Sequence, residues 1–193
     1  MSIHVNSGLK LYMESAIAAP VTITAITKAA PGVLSATGHT FANGDTVLLE
    51  IQGMVELHGY LCKVVNVVAS TSFQVAGVDG TAGIDTTLFS TFSSGTAKKV
   101  TLGTSIVGVQ EFAFAGGEIK TTDTTTVNDT VDTQIVVGAT AQSADMTMQW
   151  DPSAAAQQAM ITAFKTRSNK GFKVLWPDGA FAMWYGTVGY TGA

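Results

Sequence analysis

The stretch "ADMTMQWDPSAAAQQAMITAF", Ala144–Phe164, changes its period halfway along. Ala144, Met146, Met148 and Trp150 first alternate with Asp145, Thr147 and Gln149, the period of a strand with one buried and one wet face. Asp151-Pro152 interrupts the pattern. Asp accepts bonds from the free N–H groups that open a helix, and Pro suits the first helical position, so a helix is predicted from there. Ala156, Ala159, Met160, Ala163 and Phe164 recur at helical spacing, one apolar face over about three turns. Lys165, Arg167 and Lys170 gather at its end, where the helix dipole favours positive charge. A half-buried strand running into one short helix reads as scaffold and contains no recognisable chemistry.

The whole chain supports that direction. Its 193 residues allow one large or two small domains. Only 12% are charged against 46% hydrophobic, with a mean hydropathy of +0.30. So little charge points to surface buried against other subunits. No apolar run approaches the roughly 18 residues of a membrane span, so no membrane insertion is expected. The opening MSIHVNSGLKLYMES has no basic region followed by an apolar core, so no secretory leader is expected. A net charge of −4 argues against a dedicated nucleic-acid binder, which meets phosphates with a basic patch. The single cysteine, Cys62, excludes an internal disulfide and fits folding in a reducing cytoplasm.

Three textures succeed one another along the chain. "GLKLYMESAIA" near the start reads as a short strand. From Pro20 to Lys98, Thr-rich strands separated by Pro31-Gly32, Asn43-Gly44-Asp45 and a Ser/Thr turn suggest a small barrel or sandwich. "TTLFSTFSSGTA", Thr86–Ala97, reads as its closing strand or exit linker. Beyond Lys99, "TSIVGVQEFAFAGGE" reads as one strand, with Ile106, Gln110, Phe112 and Phe114 on one face and Val107, Val109, Glu111 and Ala113 on the other. "IKTTDTTTVNDTVDT", Ile119–Thr133, has almost nothing to bury and reads as a long loop or an exposed hairpin. "GFKVLWPDGAFAMWYGTVGY" reads as a hairpin turning at Pro177-Asp178-Gly179.

Little in the sequence suggests catalysis. His4, His39 and His58 are far apart, and no metal-ligand spacing occurs. Cys62 lies in an apolar alternating run, the setting of a structural thiol. No phosphate-binding or nucleophile-elbow motif is present, and Gly116-Gly117 is not followed by a helical pattern. Among Glu111, Glu118, Asp123, Asp129, Asp132 and Asp145 no two are placed as an acid/base pair. Trp150, Trp176 and Trp184 read as core or interface anchors. No enzymatic activity and no cofactor are expected.

The order of these pieces resembles the major tail tube proteins of long, non-contractile-tailed phages. Those proteins share a strand ending in Trp and a Pro-containing turn, a Gln-Gln helix, a further strand, a Pro-x-Gly turn and an aromatic strand ending in Gly and Val. Here these are Trp150, Pro152, Gln157-Gln158, Pro177, Gly179 and Trp184–Val188. The resemblance covers residues 99–193 well and residues 1–19 weakly. Residues 20–98 depart from it and are similar to a small β unit inserted in many phage structural proteins. The domain expectation is therefore a tail-tube core of residues 1–19 and 99–193, carrying an outward-facing β-barrel-like decoration of residues 20–98.

What the resemblance implies is a mainly β sandwich or barrel with one flanking helix, and a virion protein whose stacked six-fold rings form the conduit for DNA ejection. It implies copies of the same chain as partners, a tape-measure protein in the lumen, tail-tip and tail-terminator proteins, and transient passage of double-stranded DNA. Synthesis would be in the bacterial host cytoplasm. Glu111, Asp145, Thr147 and Gln149 are the lumen candidates. Thr122, Asp123, Thr124, Thr125, Thr126, Asn128 and Asp129 are the candidates for contact between rings. Met146, Met148, Trp150, Met160, Phe164, Trp176 and Trp184 are the candidates for core between sheets or for interface. Two other readings stay open: a β-rich adhesin or carbohydrate-binding module, and the tube protein of a contractile tail or type VI secretion system.

Overall fold

The computed structural model of the protein describes residues 8–76, 80, 82–123, 134–139 and 142–190. The chain divides into two compact units, Met1–Val107 with Pro152–Ala193, and Gly108–Asp151. The first unit opens with β1 (Lys10–Met13), β2 (Ala16–Ile17), β3 (Val21–Ile23), β4 (Ala25–Ile26), β5 (Leu34–Ser35) and β6 (Thr46–Gln52). After a 3-10 turn at Val55–Leu57 come β7 (Leu61–Val68), β8 (Ser72–Val75), β9 (Ser94–Thr101) and β10 (Thr104–Ile106). The second unit holds β11 (Val109–Ala115), β12 (Ile119–Asp123), β13 (Gln134–Ala139) and β14 (Ser143–Met148). The chain then returns with α1 (Ala155–Thr166), β15 (Asn169–Leu175) and β16 (Phe181–Thr187).

Residues 21–101 form a closed barrel. β9 pairs with β6, β6 with β7, β7 with β8, and β8 with β5. The ring closes through a strand broken at Thr24: β3 pairs with β9 while β4 pairs with β5. Closure leaves no free sheet edge on the ring. Leu34, Val47, Leu49, Phe73, Val75 and Ala97 fill the interior. His39 is buried among them, stacked on Phe41 at 5.4 Å and edge-on to Phe73 at 5.5 Å. Its Nδ1 accepts from the Phe41 N–H, and its Nε2 lies 3.2 Å from the carbonyls of Val68 and Ser72. The polar ring is thus satisfied inside an apolar core.

One hydroxyl ties the barrel's longest connections together. Thr86 is fully buried, and its Oγ1 lies 2.6 Å from the Thr27 carbonyl and accepts from the Ala29 N–H at 3.2 Å. Gly32 sits against it so closely that an added Cβ would fall on the Thr86 side chain. The closing strand β9 continues past the expected boundary at residue 98 to Thr101, where Val100 and Thr101 pair with Ile17 and Ala16 of β2. Only Leu102 and Gly103 then separate the barrel from β10, too short a connection to serve as a linker.

The second sheet of this unit has the order β10-β1-β15-β16. Met183 and Tyr185 of β16, with Leu102, pack on Leu48, Leu61 and Val100 on the outside of the barrel. Gly171 on β15 lies close to Leu61, Val100 and Leu102. Register places Leu11, Met13, Ile106, Phe172, Val174 and Trp184 on the other face. Phe172 and Trp184 stack there at 5.6 Å. Buried Glu14 pairs with Lys170 at 3.1 Å and also accepts from the Gly171 N–H at 3.2 Å, so its charge is compensated. The β15–β16 hairpin turns as the sequence predicts: the Gly179 N–H donates to the Trp176 carbonyl, and Asp178 Oδ1 accepts from the Ala180 N–H.

Helix α1 buries Ala156, Met160 and Ala163 along one stripe and lies against β10. Its start corrects the sequence expectation. The first cap is Ala154, without a side-chain bond, and Asp151-Pro152 belongs to the preceding turn. Gln158 Nε2 donates to the Pro152 carbonyl and holds that turn at 2.9 Å. The helix ends at Arg167 in left-handed conformation, φ 52°. Its N–H donates to the Phe164 carbonyl and that of Ser168 to the Ala163 carbonyl, the paired closure usually made with glycine.

Candidate functional site

The second unit is a long antiparallel ribbon. β11 pairs with β14 over Val109–Ala115, and β12 pairs with β13 over Ile119–Asp123. Gly116 and Gly117, both at positive φ, join β11 to β12. The expected single strand from Thr104 is therefore broken. It stops after Ile106 and resumes at Val109, with Gly108 at φ 77° and its carbonyl accepting from the Gln149 N–H at 2.8 Å.

Register gives the ribbon two unlike faces. Glu111 lies opposite Thr147, Ala113 opposite Asp145, and Ala115 opposite Ser143. Phe112 lies opposite Met146, Phe114 opposite Ala144, and Val109 opposite Met148. A bulge between Val109 and Glu111 moves Val109 to the phenylalanine face, which corrects the strict alternation expected for this strand. Along β14 exposed and half-buried residues alternate, with Ser143, Asp145 and Thr147 exposed and Ala144, Met146 and Met148 half-buried. Glu111, Asp145 and Thr147 share one polar face, and Gln149, just past β14, is also exposed.

The apolar candidates separate into three groups. Met160 is buried, while Met146, Met148, Trp176 and Trp184 are half-buried. Trp150 and Phe164 are 55% and 43% exposed and are not core residues of this chain. Phe114 is exposed as well, though edge-on to buried Phe112 at 4.9 Å. Among the described residues β11 and β14 pair only with each other. A two-stranded ribbon with an apolar face is marginal by itself and presents open backbone edges.

Of the loop candidates, Thr122 and Asp123 lie in β12, paired with Ile135 and Gln134. Thr124, Thr125, Thr126, Asn128 and Asp129 lie outside the described residues. The charge distribution of this unit was not apparent from the net figure. Residues 108–151 carry seven acidic residues against one lysine, although the whole chain is only −4. The acidity is concentrated in the ribbon and the remainder of the chain is slightly basic.

Cys62 is buried inside the barrel, and burial pushes its thiol up to about 12, which leaves a structural sulfur rather than a nucleophile. Among the described residues no group of His, Cys, Asp and Glu is arranged to hold a metal. Glu50 is held below the usual carboxylate range first by its hydrogen bond from Lys98. Glu56 is lowered by its own backbone N–H and by Ser90, and Asp85 by Thr87. These carboxylates tie strands and turns of the barrel.

Several antiparallel sheets and, among the described residues, a single α-helix give this chain the architecture of a β-rich structural protein. It belongs to the phage tail tube family: the family model described as "Phage tail tube protein, TTP" matches residues 53–192. The chain is accordingly a structural protein of the virion tail, of a family that assembles into a tube. The match begins inside the barrel, so the second half of residues 20–98 lies within the family span. No curated protein matches the chain. Among the described residues no helix is long and apolar enough to cross a membrane.

Proposed function

We propose that the chain forms stacked six-fold rings whose lumen is the conduit for DNA ejection. The observation that carries this reading is the ribbon of β11 and β14, polar and acidic on one face, apolar on the other, and unpaired at its outer edges among the described residues. Edge-to-edge pairing with copies of itself satisfies the open backbone groups and closes a barrel across subunits. Glu111, Asp145, Thr147 and Gln149 then face the lumen. Met146, Met148, Trp150, Phe164, Trp176 and Trp184 are covered by neighbouring sheets or subunits. A lumen of negative sign repels phosphates and lets DNA pass without sticking. A tape-measure protein fills the lumen during assembly, and tail-tip and terminator proteins close the ends.

Residues 20–98 act in this reading as a decoration on the outside of the tube. Their closed, self-filled barrel supports it, because such a unit needs no neighbour to complete its core. The Thr/Asp-rich segment, residues 122–129, reaches the next ring. Negative-stain electron microscopy of the purified, concentrated chain tests the proposal, with stacked hollow rings or tubes expected. A chain that stays monomeric alone and in the presence of a tail-tip complex contradicts it.

A further inference from the structure

Away from the ribbon, the molecule gathers positive charge where the barrel meets the second sheet. Lys63 of β7 and Lys173 of β15 both lie over the ring of Phe181, their Nζ atoms 5.7 and 5.6 Å from its centroid. Register sets a third lysine beside them. Lys10, Leu175 and Phe181 form one row across the sheet, and Tyr12, Lys173 and Met183 form the next row on the same face. These two rows contain no carboxylate. Lys10 is exposed, while Lys63 and Lys173 are half-buried. Lys98, Lys99 and Lys170 each have a carboxylate partner, whereas among the described residues Lys10, Lys63 and Lys173 form no ion pair. Gly80, buried at φ 71°, lies so close to Phe181 that an added Cβ would fall 2.7 Å from its ring, so the ring is held in place. Two ammonium groups gathered on one ring repel each other. The π face of Phe181 offsets part of that repulsion, but no anion in the patch neutralises it.

We propose that Lys10, Lys63 and Lys173 bind a chain of phosphate groups, an activity separate from tube formation. The charge of the patch sets the sign of the ligand, and lysine sets its kind. Compact ammonium groups on flexible stems meet phosphate oxygens as point charges, where arginine would suit planar, bidentate pairing. Three cations spread over two rows suit linked phosphates better than a single one, because each ammonium meets a different group. Nucleic acid fits less well. Phe181 is already engaged by two lysines and Gly80, so its face is not free to stack a base. Two rows are also too small for the broad basic face that a duplex requires.

The test is calorimetric titration of the full chain, at concentrations where it is monomeric, with inorganic tripolyphosphate and separately with a glycerol phosphate polymer. Lys63→Gln combined with Lys173→Gln should weaken binding about tenfold or more, and added salt should weaken wild-type binding. Lys165→Gln combined with Arg167→Gln removes the same charge elsewhere and should leave binding unchanged. Unchanged circular dichroism spectra and melting points establish that the variants fold. Lys10→Gln, at an exposed position, is a second probe and should weaken binding by a smaller factor. Binding of tripolyphosphate alone assigns the site to free phosphate chains. Binding of the polymer, with or without tripolyphosphate, assigns it to phosphodiesters, and either result upholds the proposal. Failure of both probes to bind, or equal weakening by the two double variants, overturns it. Tighter binding of a double-stranded DNA fragment, lost in the Lys63 and Lys173 variant, overturns it in favour of nucleic acid. None of these results depends on whether the chain forms tubes.

Discussion

The barrel of residues 21–101 and the ribbon of residues 108–151 are both antiparallel and both rich in threonine, yet they solve the problem of the sheet edge differently. The barrel closes on itself through a strand that changes partner at Thr24, and fills its interior with its own side chains. The ribbon closes nothing among the described residues. Its outer edges stay open, Phe114 and Trp150 stay exposed, and all of the molecule's net acidity lies along it. One region carries its stability within a single copy. The other has a surface that becomes a folded interior only when copies assemble.

The largest expected effect separates the two regions completely. Deleting Thr122–Asp129 should abolish tube formation by sedimentation while leaving the melting point of the free chain unchanged. Normal tubes from that deletion would remove this segment from the assembly. Next is Phe73→Ala, which empties a fully buried site and should cost about 3–5 kcal/mol in urea unfolding followed by the barrel. Phe112→Ala on the ribbon should leave that transition in place and act on assembly instead.

A third change, Thr86→Val, keeps the volume but strips a buried hydroxyl from the Thr27 carbonyl and the Ala29 N–H. The expected loss is about 1–3 kcal/mol, again confined to the barrel. The smallest effect is acid sensitivity. Glu50, Glu56 and Asp85 titrate lower in the folded chain than unfolded. Their contribution is complete above the ordinary carboxylate range, about pH 4, and is lost as pH falls through the lower folded values. Urea midpoints should therefore fall slightly on acidification into that window, and Glu50→Gln should reduce the slope.

The sequence conveyed these regions unequally. The alternation of Ala144–Trp150 and the stripe of α1 were legible because each element has its own period. The Pro177-Asp178-Gly179 turn was legible because its chemistry is local. The barrel-or-sandwich character of residues 20–98 was legible, but the strands that close the ring were not, since Ala25–Ile26 and Leu34–Ser35 are too short to have a period. The helix start was misplaced because the turn at Asp151-Pro152 is held by a side chain six residues on, Gln158, which has no sequence signature. The bulge before Glu111 was hidden in the same way: an inserted residue is visible only against its partner strand. Polar facing of Glu111, Asp145 and Thr147 was legible, but the exposure of Trp150 and Phe164 was not, because apolar residues read alike whether the core or a neighbour covers them.

Hydrogen–deuterium exchange, measured on the free chain and again on assembled tubes, tests the difference between the two regions most directly. The account predicts that β6, β7 and β9 exchange slowly in both samples, while Val109–Ala115 and Ser143–Met148 exchange fast in the free chain and become protected in tubes. Ribbon amides as protected in the free chain as those of the barrel would contradict it.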